Sequence, residues 1–160
     1  MIVGGAFLGY YLDSLLFATP TFYFYIISIL IGILILIVMV RISRNTGRTL
    51  AQYGRKGELK RMETNILVKE GIYAYMRHPM HLGLFLFPLG IAFLIASPSF
   101  ILIIAPIEII FMLIMIKLFE EPEAIEKFGQ DYLNYKKEVP WFCFKRICLQ
   151  KLLRKVHKIR

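Results

Sequence analysis

At 160 residues, with 58% hydrophobic composition and a formal net charge of +9, the chain is one domain long. It is too apolar for an ordinary soluble domain, where about 45–50% is usual. A basic balance suits nucleic acid or an anionic membrane surface, and a mean hydropathy of +0.61 favours the membrane, so no nucleic-acid partner is expected.

Four apolar runs organise the chain. The first, Ile2 to Ala18, is marginal for a membrane helix and contains Asp13. Without a basic leader or cleavage site it does not read as a signal peptide. Tyr10, Tyr11, Phe22, Tyr23, Phe24 and Tyr25 read as an interfacial aromatic belt. The second run, Phe22 to Val40, is long enough to span. A charged segment, Arg41 to Arg77, follows and holds nine of the twenty Lys and Arg residues. A loop of this length in a small membrane protein is usually functional, although its KGELKRMETN stretch reads as solvated.

That segment closes on GIYAYMRHPMHLG, Gly71 to Gly83, which places Arg77 and His78 at the mouth of the third run. The third run, Leu82 to Ala96, is short and carries Pro88 and Gly90, so a kink or a partial span is expected. The fourth run, Phe100 to Phe119, spans and contains Glu108. Glu120 and Glu121 follow it directly. Asp13 reads as interfacial. Glu108, about 18 Å from Glu120 along a helix rising ~1.5 Å per residue, is expected to pair with Asp13 or a backbone group.

Beyond the fourth run, Ile125, Phe128, Tyr132 and Tyr135 recur at steps of three and four, the stripe of one amphipathic helix. Pro122 suits its first turn and should disturb the last turn before it. Lys145 to Arg160 reads as a basic tail for anionic lipid headgroups. Cys143 and Cys148 lie in Lys/Arg-rich surroundings and are expected as thiols in a reducing cytoplasm. A metal site with His157 would lack ligands, so no metal is expected.

The turns Thr19–Thr21 and Ser97–Ser99 carry no charge, and Lys117 to Arg160 holds the other eleven Lys and Arg residues. The positive-inside rule then puts both charged segments and both termini in the cytoplasm. The expected fold is an all-α, multi-pass integral membrane protein. It has about four transmembrane helices in two hairpins plus a cytoplasmic amphipathic C-terminal helix. The single domain divides into an N-terminal hairpin (1–42), a cytoplasmic loop (43–79), a second hairpin (80–119) and the C-terminal region (120–160).

The second hairpin returns both its ends to one face, so Arg77 and His78 should meet Glu120 and Glu121. Such a cluster can hold a zwitterion, with carboxylates for an ammonium or a diol and Arg and His for a carboxylate. The same residues also describe an interfacial salt bridge that only anchors the hairpin.

The two blocks resemble the isoprenylcysteine carboxyl methyltransferase family, which shares its C-terminal half with phospholipid methyltransferases. Gly71, Tyr73, Arg77, His78, Pro79 and Gly83 match the first block. Glu120, Glu121, Phe128, Gly129, Tyr132, Tyr135, Val139 and Pro140 match the second. The resemblance covers about Asn65 to Trp141. It implies S-adenosylmethionine as cofactor, an active site on the cytoplasmic side, and a lipophilic methyl acceptor entering from the bilayer. Cofactor-binding positions carry over to Asn65, Ile66, Leu67, Val68, Tyr73, His78, Pro79, Met80, His81 and Glu120. Two positions depart: His81 stands where the hallmark has a second Tyr, and Ile116 where the family has a substrate-contacting Arg, with Lys117 one step on.

Arg77, Lys117 and Glu121 are the candidate catalytic residues. For a carboxylate acceptor, Arg77 or Lys117 would hold the nucleophile in line. For an amine acceptor, a Glu or His would take a proton. An isoprenylcysteine-type carboxyl methyltransferase, a lipid N-methyltransferase and a non-enzymatic scaffold on the same fold all remain compatible with the sequence.

Overall fold

The computed structural model describes residues 2–17, 21–55 and 64–154. The expected turn at Thr19 and Pro20, the centre of the charged loop and the end of the basic tail with His157 lie outside the described residues. Among the described residues every regular element is helical. The order is α1 (Ile2–Leu16), α2 (Phe22–Tyr53), a 3-10 turn (Gly71–Ala74), α3 (Pro79–Ile95), α4 (Ala105–Met115), α5 (Glu121–Phe128), α6 (Gln130–Glu138) and α7 (Arg146–Leu153). Wider π-type turns, Phe100–Ile104 and Ile116–Glu120, flank α4.

Among the described residues, two helical stretches are long and apolar enough to cross a membrane, Phe22–Tyr53 and Phe100–Phe128, and Pro79–Ile95 is a shorter apolar helix. Large side chains such as Ile27, Leu30, Leu34 and Ile37 are exposed along the first of these, as contact with lipid requires. The turn at Ile116–Glu120 opens just ahead of Pro122, whose ring cannot donate to the preceding turn.

The chain forms two compact units, Met1–Met39 with Leu84–Ile116 and Val40–Gly83 with Lys117–Arg160. In the first unit, Ala92, Phe100, Ile104 and Ala105 form the core. Asp13 accepts a hydrogen bond from the backbone N–H of Ser99 at 2.7 Å, so it caps the helical stretch that begins there. Glu108 is buried in the same unit. Helices α2 and α3 approach closely through Gly32 and Gly90. A Cβ on Gly32 would stand 2.8 Å from the backbone N of Leu94, and one on Gly90 2.6 Å from Leu36.

In the second unit, α2 continues to Tyr53, well beyond the apolar run and into what the sequence reads as loop. Ile42, Asn45, Thr46 and Thr49 are its buried face, a helical spacing of three and four. The hydroxyls of Thr46 and Thr49 donate to the carbonyls of Ile42 and Asn45, at 2.9 and 3.0 Å. The C-terminal stripe is carried by two helices instead of one. Gly129, with φ 55° and ψ −131°, breaks the chain between α5 and α6 in a conformation that favours glycine.

The cysteines depart from expectation, because Cys143 and Cys148 form a disulfide. The backbone N–H of Cys148 donates to Lys145 O at 2.9 Å as α7 begins, and this folds the chain back. The two Cα atoms then stand 5.9 Å apart, within bridging range.

Gly32→Ala should lower stability by about 1–3 kcal/mol, because its methyl meets backbone rather than a movable side chain. Gly47→Ala, in open space on the same helix, should be neutral or stabilising by about 0.5–1 kcal/mol. Unfolding of the detergent-purified variants checks both.

Candidate functional site

The site lies within the second unit and starts from Glu121, which is only 3% exposed although it is charged. A buried carboxylate must be paired. Arg77 Nη1 stands 2.6 Å from Glu121 Oε1, and Lys136 Nζ donates to Oε2 at 2.6 Å. His78 Nε2 lies 3.6 Å from the same Oε1. Burial alone would push the Glu121 carboxyl up; the hydrogen bond from Lys136 and the charge of Arg77 outweigh it and hold the group below its ordinary value.

Glu120, one step round the helix, is 44% exposed. His81 Nε2 is 2.7 Å from Glu120 Oε1, and His78 Nδ1 is 3.8 Å from Oε2. Burial again pushes Glu120 up, and the hydrogen bond and charge of His81, helped by His78, bring it below the usual range. His78 and His81 share the first turn of α3 with rings 5.6 Å apart. Burial, followed by the charge of His81, lowers the His78 pKa despite both carboxylates, so His78 is neutral at neutral pH.

The backbone fixes these groups. Arg77 N–H donates to Pro140 O at 2.9 Å and His78 N–H to Trp141 O at 3.2 Å. The Arg77 guanidinium carbon is 6.0 Å from the centre of the Trp141 ring, and the His78 ring is also 6.0 Å from it. Tyr135 Oη donates to Tyr73 O at 2.5 Å, tying α6 to the 3-10 turn. Burial is the main reason the phenols are raised, Tyr132 to about 12, so they stay protonated donors.

A pocket of about 160 Å³ opens beside this cluster. It gathers Ile66, Leu67, Val68, Tyr73, His78 and Glu120 from the expected cofactor set, together with Arg77. Asn65 is exposed beside it; Pro79 is buried and Met80 half-buried, and none of the three lines it. His81 reaches the pocket through Glu120. Glu121 sits behind Arg77 and does not line this pocket.

Ile116 is fully buried, whereas Lys117 beside it is exposed and does not line this pocket.

Sequence reasoning missed Lys136 and Trp141. Lys136 directly follows the buried Tyr135, and Trp141, the single tryptophan, directly follows the Val139–Pro140 match, so adjacency was the available signal. His78, His81 and Glu120 also offer ligand atoms within 4.8 Å of one another, a set that suits a divalent cation.

A family profile described as phospholipid methyltransferase matches residues 20–131, well over half of the chain. The chain belongs to the phospholipid methyltransferase family. With its long apolar helices, that membership makes it an integral membrane protein.

Among curated relatives, the protein-S-isoprenylcysteine O-methyltransferase of Schizosaccharomyces pombe is 36% identical over 87 residues, 51% of this chain and 34% of that protein. The Saccharomyces cerevisiae protein of that name is 33% identical over 86 residues, covering 50% and 33%. The Mus musculus one is 31% identical over 87 residues, covering 51% and 28%. The matched stretch thus spans about a third of those relatives. In fold, the family member resembles a eukaryotic intramembrane Ras methyltransferase, isoprenylcysteine carboxyl methyltransferase. The TM-score is 0.59 at 20% identity, covering 89% of this chain and 51% of that one.

The depressed His78 pKa sets a pH dependence. Below about pH 6.5 the unfolded chain binds a proton at this position that the folded chain refuses, so stability falls as pH falls. His78→Gln removes that difference. Apparent melting temperatures measured from pH 7.5 to 5 should decline less steeply in the variant than in the parent.

Proposed function

We propose that this family member transfers a methyl group from S-adenosylmethionine to a lipophilic acceptor at the membrane, most specifically the carboxylate of an isoprenylcysteine-type substrate. The observation that carries the proposal is the meeting of the two sequence blocks at one pocket, where His78 and Arg77 stand against Glu120. The named activity of the matching relatives supports it.

The donor set fits the cofactor. Among the described residues, His78 Nε2 is buried without a hydrogen-bond partner, which suits it to a ligand carboxylate. Glu120, ionised and half exposed, suits an ammonium or a ribose diol. Ile66, Leu67, Val68 and Phe128 offer apolar wall. A pocket of about 160 Å³ seats one end of such a ligand, since pockets for whole drug-sized ligands begin at roughly 300 Å³. When bound, S-adenosylmethionine supplies an electrophilic methyl on a sulfonium. The chain's own residues bind, orient and exclude water.

A carboxylate acceptor needs no base at neutral pH. This agrees with Glu121 being held in ion pairs with Arg77 and Lys136. Arg77 is the cation placed to hold such an acceptor. An N-methyl transfer to a phospholipid amine is the second reading. It draws on the family profile, and neutral His78 is the base it requires.

Four membrane helices, with both Lys/Arg-rich segments and the site on the cytoplasmic side, complete the proposed topology. The acceptor would arrive from the bilayer.

His78→Ala and Glu120→Ala should each weaken S-adenosylmethionine binding by about 1–3 kcal/mol in calorimetry, while Lys137→Ala on the exposed face of α6 should not. Unchanged affinity in both site variants would favour a non-enzymatic scaffold. Mass spectrometry of products from farnesylcysteine derivatives and phosphatidylethanolamine separates the two enzyme readings.

A further inference from the structure

A second cavity, of about 170 Å³, is lined by the distal part of α2, the Gly71–Ala74 turn and α7. It shares no lining residue with the first pocket. Its base is buried and polar, with Asn45 4% and Thr49 2% exposed. Asn45 Nδ2 donates to Leu152 O at 3.1 Å and so anchors α7 to α2. Thr49 donates to Asn45 O and keeps its oxygen lone pairs. Tyr53 adds a hydroxyl to the lining.

The charged lining residues are Lys151 and Arg154. Lys151 Nζ lies 4.4 Å from the centre of the Tyr75 ring, which fixes it in place without neutralising it. Among the described residues, no carboxylate pairs with either cation. The contrast with the first pocket is one of sign. Arg77, His78 and Glu120 there offer both charges and suit a zwitterion, whereas this cavity offers cations and hydroxyls and suits an anion.

We propose that this cavity binds a phosphate-bearing anion, a lipid headgroup or a free phosphate, held by Lys151 and Arg154 with Tyr53. Two charge-assisted contacts to phosphate make the site specific beyond the general attraction of a basic tail.

The test uses the full chain in detergent, with thermal shift as readout. Short-chain phosphatidylglycerol, inorganic phosphate and diacylglycerol are titrated separately. Phosphatidylglycerol should raise the melting temperature, and diacylglycerol should not. The double variant Lys151→Gln/Arg154→Gln should raise the half-saturating phosphatidylglycerol concentration at least about tenfold. Arg154→Gln alone, which keeps the Lys151–Tyr75 contact, should raise it several-fold and guards against a folding defect in the double variant. A shift with inorganic phosphate, lost in the variants, supports phosphate as the recognised group and free phosphate as a sufficient source. A shift with phosphatidylglycerol alone supports the lipid headgroup. Shifts unchanged in both variants, or equal with diacylglycerol, would overturn the proposal.

Discussion

Glu121 is a charge buried at the end of an apolar helical stretch, and such a charge is tolerated only when it is paired. Removing a carboxylate from water costs several kcal/mol, which its partners must offset. One partner, Arg77, comes from the segment just before α3 and the other, Lys136, from α6. Three stretches distant in sequence are therefore held to one another by one side chain. Whether the arrangement adds net stability is secondary, since buried ion pairs often do not. Its effect is registry: with Arg77 held, His78 and the backbone pairing to Pro140 and Trp141 are held too.

Adjacent glutamates then take opposite parts. About 100° separates neighbours around a helix, so Glu121 turns inward while Glu120 lines the pocket beside two histidines. The inward carboxylate is ion-paired with Arg77 and Lys136. The outward one is ionised, half exposed and available to a ligand. His78 stands between them, buried and neutral. One Glu-Glu dipeptide thus places one carboxylate in the framework and the other at the pocket.

Much of this could be read from the residues. The unbroken apolar runs announced the long helices, and a hairpin between runs three and four required Arg77 and His78 to return to Glu120 and Glu121. The continuation of α2 was hidden because its buried face is polar: Asn45, Thr46 and Thr49 keep helical spacing but carry no hydrophobic signal. The break at Gly129 was hidden for the opposite reason, since Ile125, Phe128, Tyr132 and Tyr135 keep their period across it. The Cys143–Cys148 bridge depends on the chain reversal at Lys145, which composition does not reveal.

Arg77 and Glu121 hold the site as a unit, and a double-mutant cycle measures that directly. Unfolding free energies are needed for the parent, Arg77→Met, Glu121→Gln and the double variant, each purified in the same detergent. If the buried pair holds the site together, the two substitutions will be non-additive, with a coupling energy of about 1–3 kcal/mol and a double variant more stable than the sum of the singles predicts. Additivity within about 0.3–0.5 kcal/mol would contradict it, because that is how independent residues behave.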